Sequence, residues 1–134
     1  MRFKTIIGTD ISAEMIRQAK SRLNNIPNLK LIETDGYSLP LKDSSIDFTY
    51  SHFVFIHFKT NEMLESNFRE VYRVLKPKGR FKVLVRLDVV SLERWWGGVK
   101  YDARILANIG FKIIKKETYE DWALWIWLEK QFKV

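Results

Sequence analysis

The chain has 134 residues and a mass of 16.0 kDa, with 46% hydrophobic and 29% charged residues, the size and composition of one globular domain. It has no cysteine, which excludes disulfides, thiolate nucleophiles and Cys-type zinc sites, and its two histidines, His52 and His57, are too few for a His-rich metal centre. The net charge of +7 is spread along the chain, so a nucleic-acid partner is not expected, and no apolar run reaches the ~20 residues that span a bilayer, so no membrane partner and a cytoplasmic location are expected.

In chain order, Phe3, Ile6 and Ile7 predict a short strand from about Phe3 to Thr9, with Asp10 at its carboxyl end. Ser12 is a good N-cap, and Met15, Ile16, Ala19 and Leu23 follow at helical spacing until "NNIPN" (24–28) stops the helix. A second strand is expected over Leu29 to Thr34, ending at Asp35-Gly36, and a third over 46–53 after the loop 38–45. Leu64, Phe68, Val71, Tyr72 and Leu75 make one stripe of a long helix over 60–79, which Pro77 and Gly79 close. A strand over 80–87 follows, and a shorter helix over 101–111 is closed by Gly110. The last two strands, 111–119 and 122–130, have only Glu120-Asp121 between them, so they are expected to be antiparallel.

Strands alternating with helices predict an α/β fold. Its open sheets bind ligands at the carboxyl ends of the strands, where Asp10 and Asp35 fall. A carboxylate there can accept two ribose hydroxyls. Gly36 allows close approach of the backbone to a ligand.

The segments "GTDIS" (8–12), "ETDGYSLPLKDSSIDFTYSHFVFIHF" (33–58), "EVYRVLKPKG" (70–79) and "LANIGFKII" (106–114) carry, in order and at normal spacing, a pattern that resembles the class I S-adenosylmethionine-dependent methyltransferases of the small-molecule type. The resemblance implies a Rossmann-like, mostly parallel sheet with helices on both faces and an antiparallel C-terminal hairpin, residues 1–134 forming one incomplete domain. It implies S-adenosylmethionine as cofactor, with Asp10 and Ile11 at the ribose, Asp35 and Gly36 at the adenine, and Ser51 near the methionine part. His52 and Tyr50 become the catalytic candidates, because this strand end is where cofactor and small-molecule acceptor meet in the family. His57 reads as a packed histidine among Phe55, Ile56 and Phe58, Asp47 as support for its strand, and Lys78 as a replacement for the first glycine of a family pair.

The family's G-x-G-x-G loop is not in this sequence: none of its six glycines forms that motif. The resemblance therefore implies a domain truncated at its N-terminus, short of one strand and its helix, with impaired or absent activity in this stretch. A homodimer that covers the exposed sheet edge is one expected consequence. The alternative is a non-catalytic binding or assembly module of the same fold, presenting the aromatic hairpin and the "ERWWGGVKY" loop (93–101) to a partner.

Overall fold

The computed structural model describes residues 3–89 and 91–131. They divide into two compact units, Met1–Pro40 and Leu41–Val134.

The first unit is a strand–helix–strand. Strand β1 (Ile6–Asp10) leads to helix α1 (Ala13–Arg22) and strand β2 (Leu29–Glu33). Ser12 caps α1 as expected, its hydroxyl accepting from the Met15 amide at 3.2 Å. β1 and β2 pair in parallel from Ile6↔Leu29 to Asp10↔Glu33. Strand β1 starts and ends later than its apolar run predicts, because its ladder is set by β2, with Ile6 N–H donating to the Asn28 carbonyl. Among the described residues of this unit Ile16 is the buried hydrophobic one, whereas Phe3, Ile6, Ile11, Met15, Leu23 and Ile26 are exposed.

The second unit holds a four-stranded sheet in the order β3-β4-β6-β5. Its elements are β3 (Ile46–Ser51), a 3₁₀ turn (Phe55–His57), α2 (Asn61–Val74), β4 (Leu75–Arg86), α3 (Ala103–Ile109), β5 (Phe111–Glu120) and β6 (Ala123–Lys130). β3 and β4 are parallel, and β6 pairs antiparallel with both β4 and β5, so the expected C-terminal hairpin is present. Among the described residues β1 pairs only with β2 and β3 only with β4, leaving one open edge on each.

Helix α2 ends at Val74, five residues before the end expected from its pattern. Leu75 is already extended (φ −70°, ψ 138°) and pairs with Ile46. Pro77 disfavours helix at Lys76, so the chain must straighten there. Lys130 Nζ, from β6, donates to the Tyr72 and Leu75 carbonyls at 2.8 and 2.7 Å and seals this helix end. Strand β3 is also shorter than expected: it stops at Ser51, two residues before Phe53 takes a left-handed conformation (φ 54°).

Both faces of the sheet are packed: Leu84, Ala123 and Ile56 form a small buried cluster with Trp122 and Trp125 on one, and a Phe-rich core lies on the other. Phe81, Val83, Val85, Ile126 and Leu128 are fully or almost fully buried. Phe55, Phe68, Phe81 and Phe111 meet edge-to-face or tilted, with centroids 4.8–6.5 Å apart, which joins the 3₁₀ turn and α2 to the sheet. Each such side chain contributes about 1.5–3 kcal/mol by leaving water. Arg73 ties the 41–43 loop to α2 through Glu70, Asp43 and the Leu41 carbonyl. Lys76 pairs with Asp47 at 3.0 Å, which fits the supporting place expected for that acid.

Candidate functional site

Asp10 is the last residue of β1, and its Oδ1 accepts from the Ser12 amide at 2.8 Å. That bond fixes the carboxylate at the start of α1, and among the described residues Oδ2 accepts no hydrogen bond. The next strand over, β2, ends two residues before Asp35. The Thr34 amide donates to the Asp10 carbonyl at 2.9 Å, so the two strand ends are stitched together.

Asp35 is more heavily engaged. Its Oδ1 accepts from the Tyr37 and Ser38 amides, both at 2.8 Å, and its Oδ2 accepts from the Ser38 hydroxyl at 2.9 Å. These bonds, the Tyr37 amide foremost, hold its pKa below the ordinary carboxylate value. Among the described residues the Ser38 hydroxyl is the one donor found at Oδ2, which as a carboxylate oxygen can accept a further hydrogen bond. Gly36 sits at φ 83°, and a Cβ there would come within 2.9 Å of Ile11 Cδ1. Ile11 is 62% exposed. Ile11 and Gly36, each next in sequence to one of the two acids, are thus close neighbours.

In the second unit, Tyr50 and Ser51 close β3 and His52 follows. Tyr50 stacks on Trp125 at 5.7 Å. The His52 ring lies between Phe53 (3.9 Å) and Trp125 (5.2 Å), with Tyr119 edge-on at 6.4 Å. Lys82 Nζ stands over the Trp125 and Trp127 rings, 4.7 and 5.1 Å from their centroids. No ion pair or hydrogen bond to His52 occurs among the described residues, so no carboxylate there orients it as a base.

Sequence reasoning missed this aromatic cluster because it is assembled across strands. Its one visible signal is the i, i+2 spacing of Trp125 and Trp127, which puts both on one face of β6.

His57 is half-buried, and among the described residues its Nδ1 has no hydrogen-bond partner. Burial first, then the Arg86 and Lys59 charges, push its pKa below the usual imidazole value. It is a packed histidine, as its apolar neighbours suggest. Arg86 is buried beside it: its Nε donates to the Ile56 carbonyl at 2.6 Å, a terminal nitrogen donates to the Trp96 carbonyl, and its guanidinium lies over Trp122.

A cavity of about 20 Å³ lies between α2 and α3, lined by Leu64, Phe68, Ile105 and Leu106 among others. It is water-sized, far too small for a nucleoside.

Residues 1–83 match the family model described as "Methyltransferase domain". The chain belongs to the class I S-adenosylmethionine-dependent methyltransferases. A relative named ubiquinone/menaquinone biosynthesis C-methyltransferase UbiE, from Rickettsia bellii, is 36% identical over 118 residues, covering 84% of this chain and 46% of the relative. The chain thus spans about half the length of that methyltransferase. Two solved structures show the same fold. The PH0226 protein of Pyrococcus horikoshii aligns with a TM-score of 0.76 at 22% identity, over 95% of this chain and 72% of that one. A structure described as a SAM-dependent methyltransferase from Methanosarcina mazei aligns with a TM-score of 0.75 at 16% identity, over 96% and 83%.

Proposed function

We propose that this chain carries the adenosyl-binding half and the acceptor side of an enzyme that moves a methyl group from S-adenosylmethionine to a small-molecule acceptor. The observation that supports this reading most is the pair of acids at or just beyond the carboxyl ends of adjacent parallel strands, with Ile11 and Gly36, the residues that follow them, in close approach.

In this reading Asp10 Oδ2 accepts the ribose hydroxyls. Asp35 Oδ2 accepts from the adenine amine, and the backbone after Gly36 faces the ring edge. The bound cofactor supplies an electrophilic methyl on a sulfonium centre. Tyr50, Ser51 and His52 are assigned to the acceptor end by their place after β3. Catalysis of this kind comes mainly from holding two molecules in line, so a dedicated nucleophile is not required.

None of the six glycines forms the family's glycine-rich loop, and among the described residues β1 and β3 each keep an open edge. We therefore place the affinity of these 134 residues alone well below that of a complete domain. A second copy covering one open edge, giving a homodimer, belongs to the same reading.

Calorimetric titration of the purified chain with S-adenosylmethionine tests it. Measurable binding is expected, and Asp10→Ala is expected to weaken it roughly ten- to a hundredfold, the value of a hydrogen bond to a charged group. No heat at millimolar ligand, or an unchanged affinity in the variant, would favour a binding module that does not use the cofactor.

A further inference from the structure

Part of the segment between β4 and α3 is held to the body of the second unit by two cations. Lys59 Nζ donates to the Arg94 carbonyl, and to the Gly97 carbonyl at 2.8 Å. Arg86, the buried last residue of β4, donates to the Trp96 carbonyl, and its Nε donates to the Ile56 carbonyl at 2.6 Å. Two backbone bonds continue the clamp: the Val99 amide donates to the Phe58 carbonyl at 3.1 Å and the Tyr101 amide to the Arg86 carbonyl at 3.0 Å. The approach is close, since a Cβ on Gly98 would fall 2.0 Å from the Ile56 carbonyl oxygen.

His57 sits beside both cations. The Arg86 guanidinium acts on its ring from the end of β4, and the Lys59 ammonium from two residues further along. From the loop, the uncharged Trp95 ring faces it at 6.1 Å, and hydrogen bonding to the Gly97 and Trp96 backbone reaches it too. The loop's own ionisable groups, Asp88, Glu93, Arg94 and Lys100, are exposed. Among the described residues no carboxylate pairs with Arg86, Lys59 or His57, and the buried Nδ1 of the ring has no partner. A neutral ring is tolerated in such a place. A protonated one is a third, part-buried positive charge with no acid to offset it.

We propose that residues 94–99 form an acid-released latch, clamped by Lys59 and Arg86 while His57 is neutral and let go when His57 takes up a proton. Opening admits water, which solvates the imidazolium and screens it from the two cations. Burial and both charges hold the imidazole below its usual value in the closed state, outweighing the Gly97 and Trp96 backbone, which pulls the other way. The neutral ring therefore favours the closed loop fully above about pH 6.5, and that preference is lost as pH falls below it toward the closed-state value. Release frees the loop next to the carboxyl end of β4, the parallel neighbour of the strand that carries Tyr50 and Ser51. The latch does not depend on cofactor binding.

Amide hydrogen exchange of the 134-residue chain, followed by NMR and corrected for the intrinsic rate at each pH, tests the latch. Between about pH 7.5 and about pH 5.5 the protection of the Val99 and Tyr101 amides is expected to fall by up to roughly tenfold, the limit set by an open-state imidazole of ordinary pKa. Low urea is expected to leave that exchange unchanged while it speeds the Phe81 and Val83 amides of β4, because a local opening exposes little surface. In His57→Gln the protection of Val99 and Tyr101 is expected to stay level over the same pH range. In the parent, which needs no substitution, the His57 ring proton is expected to titrate below about pH 6.5. The proposal is overturned if the two loop amides keep their protection on acidification, or if His57→Gln loses as much as the parent. It is equally overturned if urea speeds the loop amides as steeply as the core ones, or if the ring titrates at or above about pH 6.5.

Discussion

Lys78 has φ 70°, a conformation that costs a side-chain-bearing residue about 1–2 kcal/mol. In the family pattern a glycine stands here, and the structure gives the reason: the turn needs a left-handed residue. Lys78→Gly is accordingly expected to stabilise the chain by roughly 1 kcal/mol in urea unfolding, offset in part by the greater freedom of glycine when unfolded. Gly79, next to it, is held by closeness rather than by φ, since a Cβ there would lie 2.7 Å from the Lys76 carbonyl oxygen. His57 supplies a second residue-level test. Its folded-state pKa is lowered, so the unfolded chain binds a proton more readily. Stability from the neutral ring is complete above about pH 6.5 and is lost as pH falls below that value. Thermal melts are expected to show the midpoint falling on acidification from about pH 7.5 to about pH 5, with a shallower fall in His57→Gln. A steeper fall in the variant would mean that protonation of His57 supports the fold.

At the scale of elements, α2 carries the second unit. Leu64, Phe68, Val71 and Val74 are its buried face, and Phe68 touches Phe55, Phe81 and Phe111. Phe68→Ala is expected to cost about 3–5 kcal/mol, read from the shift in urea midpoint. This stripe was legible in the sequence because helical spacing is local. The ends were less legible. Pro77 signals that the helix stops, but only the pairing of Leu75 with Ile46, twenty-nine positions earlier, makes Leu75 the first strand residue. Likewise the end of β3 is set by the backbone of Phe53, and nothing in a phenylalanine announces φ 54°. The acids Asp10 and Asp35 could be placed at strand ends from pattern alone. How much of each carboxylate is already engaged could not, because the Tyr37 and Ser38 donors depend on the local turn. The stacking of Tyr50 and His52 on Trp125 was hidden for a different reason, since it joins positions more than seventy residues apart.

For the whole molecule, family membership and fold stand apart from activity. The fold supports many chemistries, and which one a chain performs lies in the groups at its site. Here the candidate groups are few: two acids and a glycine beside an isoleucine in the first unit, and an aromatic strand end in the second. The central claim is that the Asp10–Ile11 and Asp35–Gly36 ends form one adenosyl cradle. The most direct test is a backbone amide NMR titration of the chain with S-adenosylmethionine, which reports even millimolar binding residue by residue. Concentration-dependent shifts centred on Asp10–Ser12 and Asp35–Ser38, and lost in Asp10→Ala, are the expected result. Saturating shifts confined to residues 41–134, or none at millimolar cofactor, would contradict it.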